Sequence, residues 1–178
     1  MYYDYANAPF QFLKAEEPFE RKLPNGISIK GVIDRMDIKS GLVRVIDYKT
    51  GSTDLEYKSM ADVFGFSFAN DNDDCALRKK SKSQILQTML YCWAVSEQYP
   101  AIAPYVYSVR RISDISTTTC VHAIGSNEPI VFDEQMKKEF VDQLVLLVDE
   151  IRNLEMPFYP CINDNVCKSC SFISLCGR

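Results

Sequence analysis

Apolar and polar residues alternate most regularly between Gly31 and Gly51, GVIDRMDIKSGLVRVIDYKTG, where two Val- and Ile-rich runs are broken at Ser40-Gly41. Such runs around a small turn-forming pair predict a β-hairpin. With Ser40 and Gly41 as the loop, Lys39 faces Leu42. Stepping back along one strand and forward along the other then sets Asp34 opposite Asp47. One face receives Val32, Asp34, Met36, Ile38, Val43, Val45, Asp47 and Lys49; the other receives Ile33, Arg35, Asp37, Leu42, Arg44, Ile46 and Tyr48. On the second face Asp37 meets Arg44 and Ile33 meets Tyr48, pairings that stabilise a sheet. A slip of one residue would scatter the apolar set between faces.

The rest of the pattern is read around that hairpin. Residues 14–23 predict a strand, at an edge because of Pro18, entering the turn Pro24-Asn25-Gly26. A short helix is expected over Tyr57–Phe64 and a loop over 70–74. Residues 83–98, SQILQTMLYCWAVSEQ, form a helix apolar on more than half its circumference and so buried against the sheet. Residues 102–112, 117–124 and 129–132 read as strands. Asp133 caps a helix running to Leu154, with Met136, Phe140, Leu144, Leu147, Ile151 and Leu154 on one stripe. Strands mixed with helices give an α/β fold with an irregular Cys-rich tail over 157–178.

Composition narrows the class. The chain has 178 residues, 47% of them hydrophobic, enough for one domain with a core. A formal charge of -4 and a pI near 5.1 exclude a protein whose main task is to coat nucleic acid, while allowing local basic patches. No apolar run of membrane-spanning length and no secretory signal is present, so the expected compartment is cytoplasmic, without a membrane partner.

The facing aspartates are the first chemical signal. Two carboxylates about 5 Å apart repel by roughly 3 kcal/mol at an effective dielectric of 20. Something cationic is needed between Asp34 and Asp47: Lys49 on the same face, a divalent metal with oxygen ligands, or a proton on one Asp. On the next helix Gln87 and Tyr91 are four apart and share a face. They read either as groups that meet a substrate or as a loop cap and a core aromatic. The run Arg78, Lys79, Lys80 and Lys82 reads as a solvated face or as a contact for a phosphate backbone. The lone His122 reads as structural.

Four of the seven cysteines, Cys161, Cys167, Cys170 and Cys176, lie in the last 18 residues with spacing C-x5-C-x2-C-x5-C. A C-x2-C pair puts two sulfurs on one turn, and the outer pair closes a four-sulfur site. Sulfur ligands alone do not separate zinc from an iron–sulfur cluster, and free thiols are the alternative.

The hairpin GVIDRMD followed by VIDYKTG, then QTMLY on a helix, then PFYP and the cysteine tail, resembles the RecB-like branch of the PD-(D/E)XK nuclease superfamily, found in the nuclease domains of helicase–nucleases such as RecBCD and AddAB. The resemblance spans residue 14 to the end. It implies a restriction-endonuclease-like core, a central mixed β-sheet flanked by α-helices, and a Mg²⁺- or Mn²⁺-dependent DNA nuclease, exonucleolytic and linked to recombination or repair. By the same resemblance Asp34, Asp47 and the Tyr48 backbone carbonyl hold the metal, Lys49 completes the catalytic set, and Gln87 and Tyr91 shape the site and hold nucleic acid. Only Cys167, Cys170 and Cys176 match the family tail. The family carries a further acid or histidine on a helix before the first strand. Glu16, Glu17 and Glu20 do not match it by motif. The expectations are a fragment of a longer domain, an alternative carboxylate, or a weak enzyme; the competing reading is a non-catalytic module that binds DNA or scaffolds a helicase–nuclease complex.

Overall fold

A computed structural model describes residues 4, 8–51, 53–65, 82–109, 118–155, 167–168 and 170–177. The elements are β1 (Gln11–Lys22), β2 (Ser28–Lys39), β3 (Leu42–Lys49), β4 (Glu56–Tyr57), α1 (Met60–Val63), α2 (Ser83–Val95), β5 (Ile102–Ser108), β6 (His122–Ala123) and α3 (Glu134–Arg152). A four-stranded mixed sheet runs in the order β1-β2-β3-β5, and β4 pairs with β6 in a second, two-stranded sheet. The strand containing Pro18 is an edge, where a missing N–H costs no ladder bond. β1, β2 and β3 are antiparallel, whereas β5 lies parallel to β3. A parallel pair needs a crossover, and α2 packs against both β5 and β3 between them.

The central hairpin takes the register its sequence predicts, from Lys39–Leu42 through Asp37–Arg44 to Arg35–Ile46. Ser40 and Gly41 both take positive φ, 52° and 79°, as a two-residue hairpin loop requires. Above Arg35 the strand departs from strict alternation. Ile29 and Ile33 face the main core, and so do Met36 and Ile38, which sit at positions of the opposite parity. One residue must therefore fall out of step, and it is Asp34. Its carboxylate accepts the Tyr48 backbone N–H at 2.8 Å, one step beyond the paired ladder. Across β1 from it, Glu16 takes a positive φ of 50°. This corrects the expected faces: Ile33 belongs to the core side, Val32 is exposed, and the Ile33–Tyr48 pair is not part of the ladder.

The core gathers Met36, Val43 and Val45 from the sheet, Ile85, Met89 and Trp93 from α2, and Phe140 and Leu144 from α3. Asp133 caps α3, accepting the Met136 N–H at 2.8 Å. The expected apolar stripe of α3 is only partly buried, because Ile151 and Leu154 are exposed. The helix expected over 57–64 shortens to one turn, since Glu56 and Tyr57 pair with β6. In place of a strand over 129–132, Pro129 makes a single bridge to His122. Among the described residues no helix is long and apolar enough to cross a membrane.

Candidate active site

The break in alternation at Asp34, the end of β3 and the middle of α2 bring five of the predicted side chains into one electrostatic neighbourhood. Asp47 is 2% exposed, so its carboxylate sits where water is scarce. Lys49, two residues on and on the same face, donates to Asp47 Oδ1 at 3.1 Å. Its Nζ is also 2.8 Å from Oδ2, but poorly aligned, and Oδ2 has no hydrogen bond. Burial pushes the Asp47 carboxyl above its ordinary range; Lys49 opposes that shift and the negative charge of Asp34 adds to it. The like-charge problem foreseen in the hairpin is present in the fold, with Lys49 as its partial answer.

Lys49 has a second partner. Its Nζ donates to Gln87 Oε1 at 2.8 Å, and Gln87 Nε2 donates to the Tyr91 hydroxyl at 2.7 Å. The direction is fixed by chemistry: an ammonium can only donate, so the amide oxygen must face it and the amide nitrogen must face Tyr91. Tyr91 therefore accepts, which leaves its own proton for a further acceptor. Burial raises the Tyr91 phenol, against the hydrogen bond from Gln87. Behind it, Phe19 meets Tyr91 edge-on with centroids 5.9 Å apart, and Phe19 lies over Gly31, where a Cβ would come within 2.7 Å of the ring. Gln87 and Tyr91 are thus a brace that runs from β1 to Lys49, neither a loop cap nor a plain core aromatic.

The oxygen donors available to a cation are the free oxygen of Asp34, the Asp47 carboxylate and the Tyr48 carbonyl. Asp34 Oδ2 is committed to the Tyr48 N–H, leaving Oδ1. Hard carboxylate and carbonyl oxygens suit Mg²⁺ or Mn²⁺. The buried Asp47 Oδ2 without a hydrogen bond is the donor such an ion would satisfy. Among the described residues no third Asp, Glu, His or Cys gathers with this pair.

Other predicted residues fall elsewhere. Lys82 precedes α2 and its ammonium is 2.7 Å from Asp54, which ties the loop after β3 to the start of that helix. Arg78, Lys79, Lys80 and Cys161 lie outside the described residues. Cys167 is buried, Cys170 half-buried and Cys176 exposed. The Cys170 N–H donates to the Cys167 carbonyl at 3.0 Å, so this C-x2-C pair does share a turn. His122 is held structurally, its Nδ1 3.0 Å from the Cys120 carbonyl.

Sequence reasoning missed two supports. Ser108 Oγ donates to the Gly51 carbonyl at 2.8 Å and the Val109 N–H donates to the Lys49 carbonyl at 2.8 Å, pinning the exit of β3. No local pattern signals these, because they depend on the parallel pairing with β5. Phe19 was legible in principle, since an aromatic ring covering a glycine is one of the devices by which sheets are built.

Set against known families, the chain matches the PD-(D/E)XK nuclease superfamily over residues 2–177. No curated protein matches it.

Proposed function

The chain belongs to the PD-(D/E)XK nuclease superfamily, and from that premise we propose a metal-dependent deoxyribonuclease of the RecB-like branch, exonucleolytic and serving recombination or repair. The observation that carries the reading is Lys49, held at 2.8 Å from both Asp47 and Gln87, with the Asp34 charge acting on Asp47. Asp34 Oδ1, Asp47 and the Tyr48 carbonyl would hold the ion. When bound, Mg²⁺ or Mn²⁺ polarises the phosphate and lowers the pKa of an attacking water.

The remaining steps belong to the chain's own residues. Lys49, braced by Gln87, donates to a non-bridging phosphate oxygen and stabilises the charge that grows as water attacks phosphorus and the bond to the leaving oxygen breaks. Tyr91, its acceptor side filled by Gln87, donates its proton to a second phosphate oxygen. Arg78, Lys79 and Lys80 follow the DNA backbone upstream of α2. Lys82, already paired with Asp54, contributes less. Cys161, Cys167, Cys170 and Cys176 serve a tail site for an iron–sulfur cluster or zinc; metal analysis of anaerobically purified protein tests this, and a sample free of both metals removes it.

The function is tested on end-labelled linear single- and double-stranded DNA, closed circular DNA and RNA, with Mg²⁺ or with chelator. Nucleotides should be released from linear DNA in Mg²⁺ alone, with circles and RNA intact; cutting of circles would replace the exonuclease by an endonuclease. The second reading is a nuclease-fold module that binds DNA or scaffolds a helicase–nuclease complex without cutting. It is favoured by the absence, among the described residues, of a third ligand beside Asp34 and Asp47. DNA retention with no cleavage of any substrate would select it.

A further inference from the structure

The site leaves part of its own motifs unused: Arg35 and Asp37 of G-x-x-D-R-x-D, and the side chain of Tyr48 in D-Y-K. By strand alternation Tyr48 points to the face opposite Asp47 and Lys49. There Arg35 donates from Nε and Nη2 to Asp37 Oδ2, at 3.1 and 2.8 Å. Arg44 donates from Nε to the other oxygen of Asp37. The third nitrogen of Arg35, Nη1, reaches both Asp4 oxygens at 3.1 and 3.2 Å and the Tyr48 hydroxyl at 3.2 Å. Phe10 lies against the guanidinium, 4.8 Å from its ring centroid. Arg35 is 8% exposed, and a planar fork locked on Asp37 has no freedom to follow a moving partner.

Tyr48 is therefore held at three points. Asp34 takes its N–H, Arg35 contacts its hydroxyl, and Tyr107 meets its ring edge-on at 5.9 Å. Yet 42% of the residue is exposed, more than core packing alone would leave on a residue so restrained. The restraints converge on the one residue that lies between Asp47 and Lys49 and supplies the carbonyl assigned to the metal.

We propose that Arg35 is a positioning residue for the metal site on the other side of the sheet, acting through the Tyr48 hydroxyl to fix the backbone of Asp47, Tyr48 and Lys49. This rests on the nuclease reading. Burial works against the Arg35 charge, but its hydrogen bonds with Asp4 and Tyr48 outweigh burial and raise its pKa, so the guanidinium stays charged.

The test is Tyr48→Phe, which removes one hydroxyl and leaves Arg35 on Asp37 and Asp4. Mn²⁺ affinity by calorimetry and kcat on linear DNA should each fall by about tenfold, the size of one charge-assisted hydrogen bond. KM for DNA and the unfolding midpoint should stay at wild-type values. Arg35→Lys, which keeps the charge and loses the fork, should reproduce the loss, and the double variant should be no worse than Arg35→Lys alone. Wild-type Mn²⁺ affinity and kcat in Tyr48→Phe would overturn the proposal while leaving the site reading intact, and so would a loss matched by a lowered unfolding midpoint. A wild-type protein that neither binds Mn²⁺ nor cuts DNA would remove the site reading and this proposal with it.

Discussion

At Asp47 the fold keeps a carboxylate 2% exposed with one oxygen lacking a hydrogen bond, so in the metal-free protein its ionised form costs stability. Because burial raises its pKa in the folded state, the destabilisation is absent below the ordinary aspartate range near pH 4 and grows as pH rises through the raised value. In chelator, Asp47→Asn should therefore melt close to wild type at pH 3.5 and gain relative to it towards pH 7. Melting curves across that range check the sign; a gap that widens as pH falls would contradict it. Asp47 and Lys49 were legible as neighbours on one face by strand alternation, and the register up to Arg35–Ile46 because a two-residue loop fixes it by counting. The pairing of Arg35 with Tyr48 was not, since strand alternation says which face a side chain takes and nothing about how far a long side chain reaches along it.

β2 shows where pattern reading stops. Its lower half follows the predicted alternation from Lys39 to Arg35, where the ladder with β3 ends, and its upper half is reversed after Asp34. Periodicity assumes an unbroken strand, so a break at a candidate metal ligand is invisible to it. The brace from β1 to α2 depends on the same strand. A methyl group at Gly31 would sit 2.7 Å from the Phe19 ring, so Phe19 must move and its edge contact with Tyr91 is lost. Gly31→Ala should cost about 1–3 kcal/mol in urea unfolding, the usual effect of overpacking. It should also slow cleavage by loosening Gln87 against Lys49. Unchanged stability and rate would show that Phe19 braces nothing.

Across the whole molecule the two faces of the sheet do different work. One carries the apolar core and the candidate site; the other carries a charged network in which Arg35 and Arg44 share Asp37, itself fully buried. Burial lowers and Asp37 raises the Arg44 pKa, with the rise prevailing. Asp37→Ala would leave two buried guanidiniums short of their shared anion, and should destabilise the protein by about 3–5 kcal/mol in denaturant unfolding. A loss under 1 kcal/mol would mean that the network is solvated. At this scale the mixed sheet was expected only from the family resemblance, while the edge position of β1 and the burial of α2 were readable from Pro18 and helical periodicity. The parallel β3–β5 pairing was not, because its partners are far apart in sequence.

The central claim is that Lys49, seated between Asp47 and Gln87, acts in phosphodiester hydrolysis. It is tested most directly by the initial rate of cleavage of end-labelled DNA in saturating Mg²⁺, measured side by side for the wild type and Lys49→Ala at equal, verified folded concentration. The wild type should cleave and the variant should be slower by about a hundredfold or more, in line with loss of a preorganised charge at the transition state. Equal cleavage by both proteins, or none by either, would contradict it.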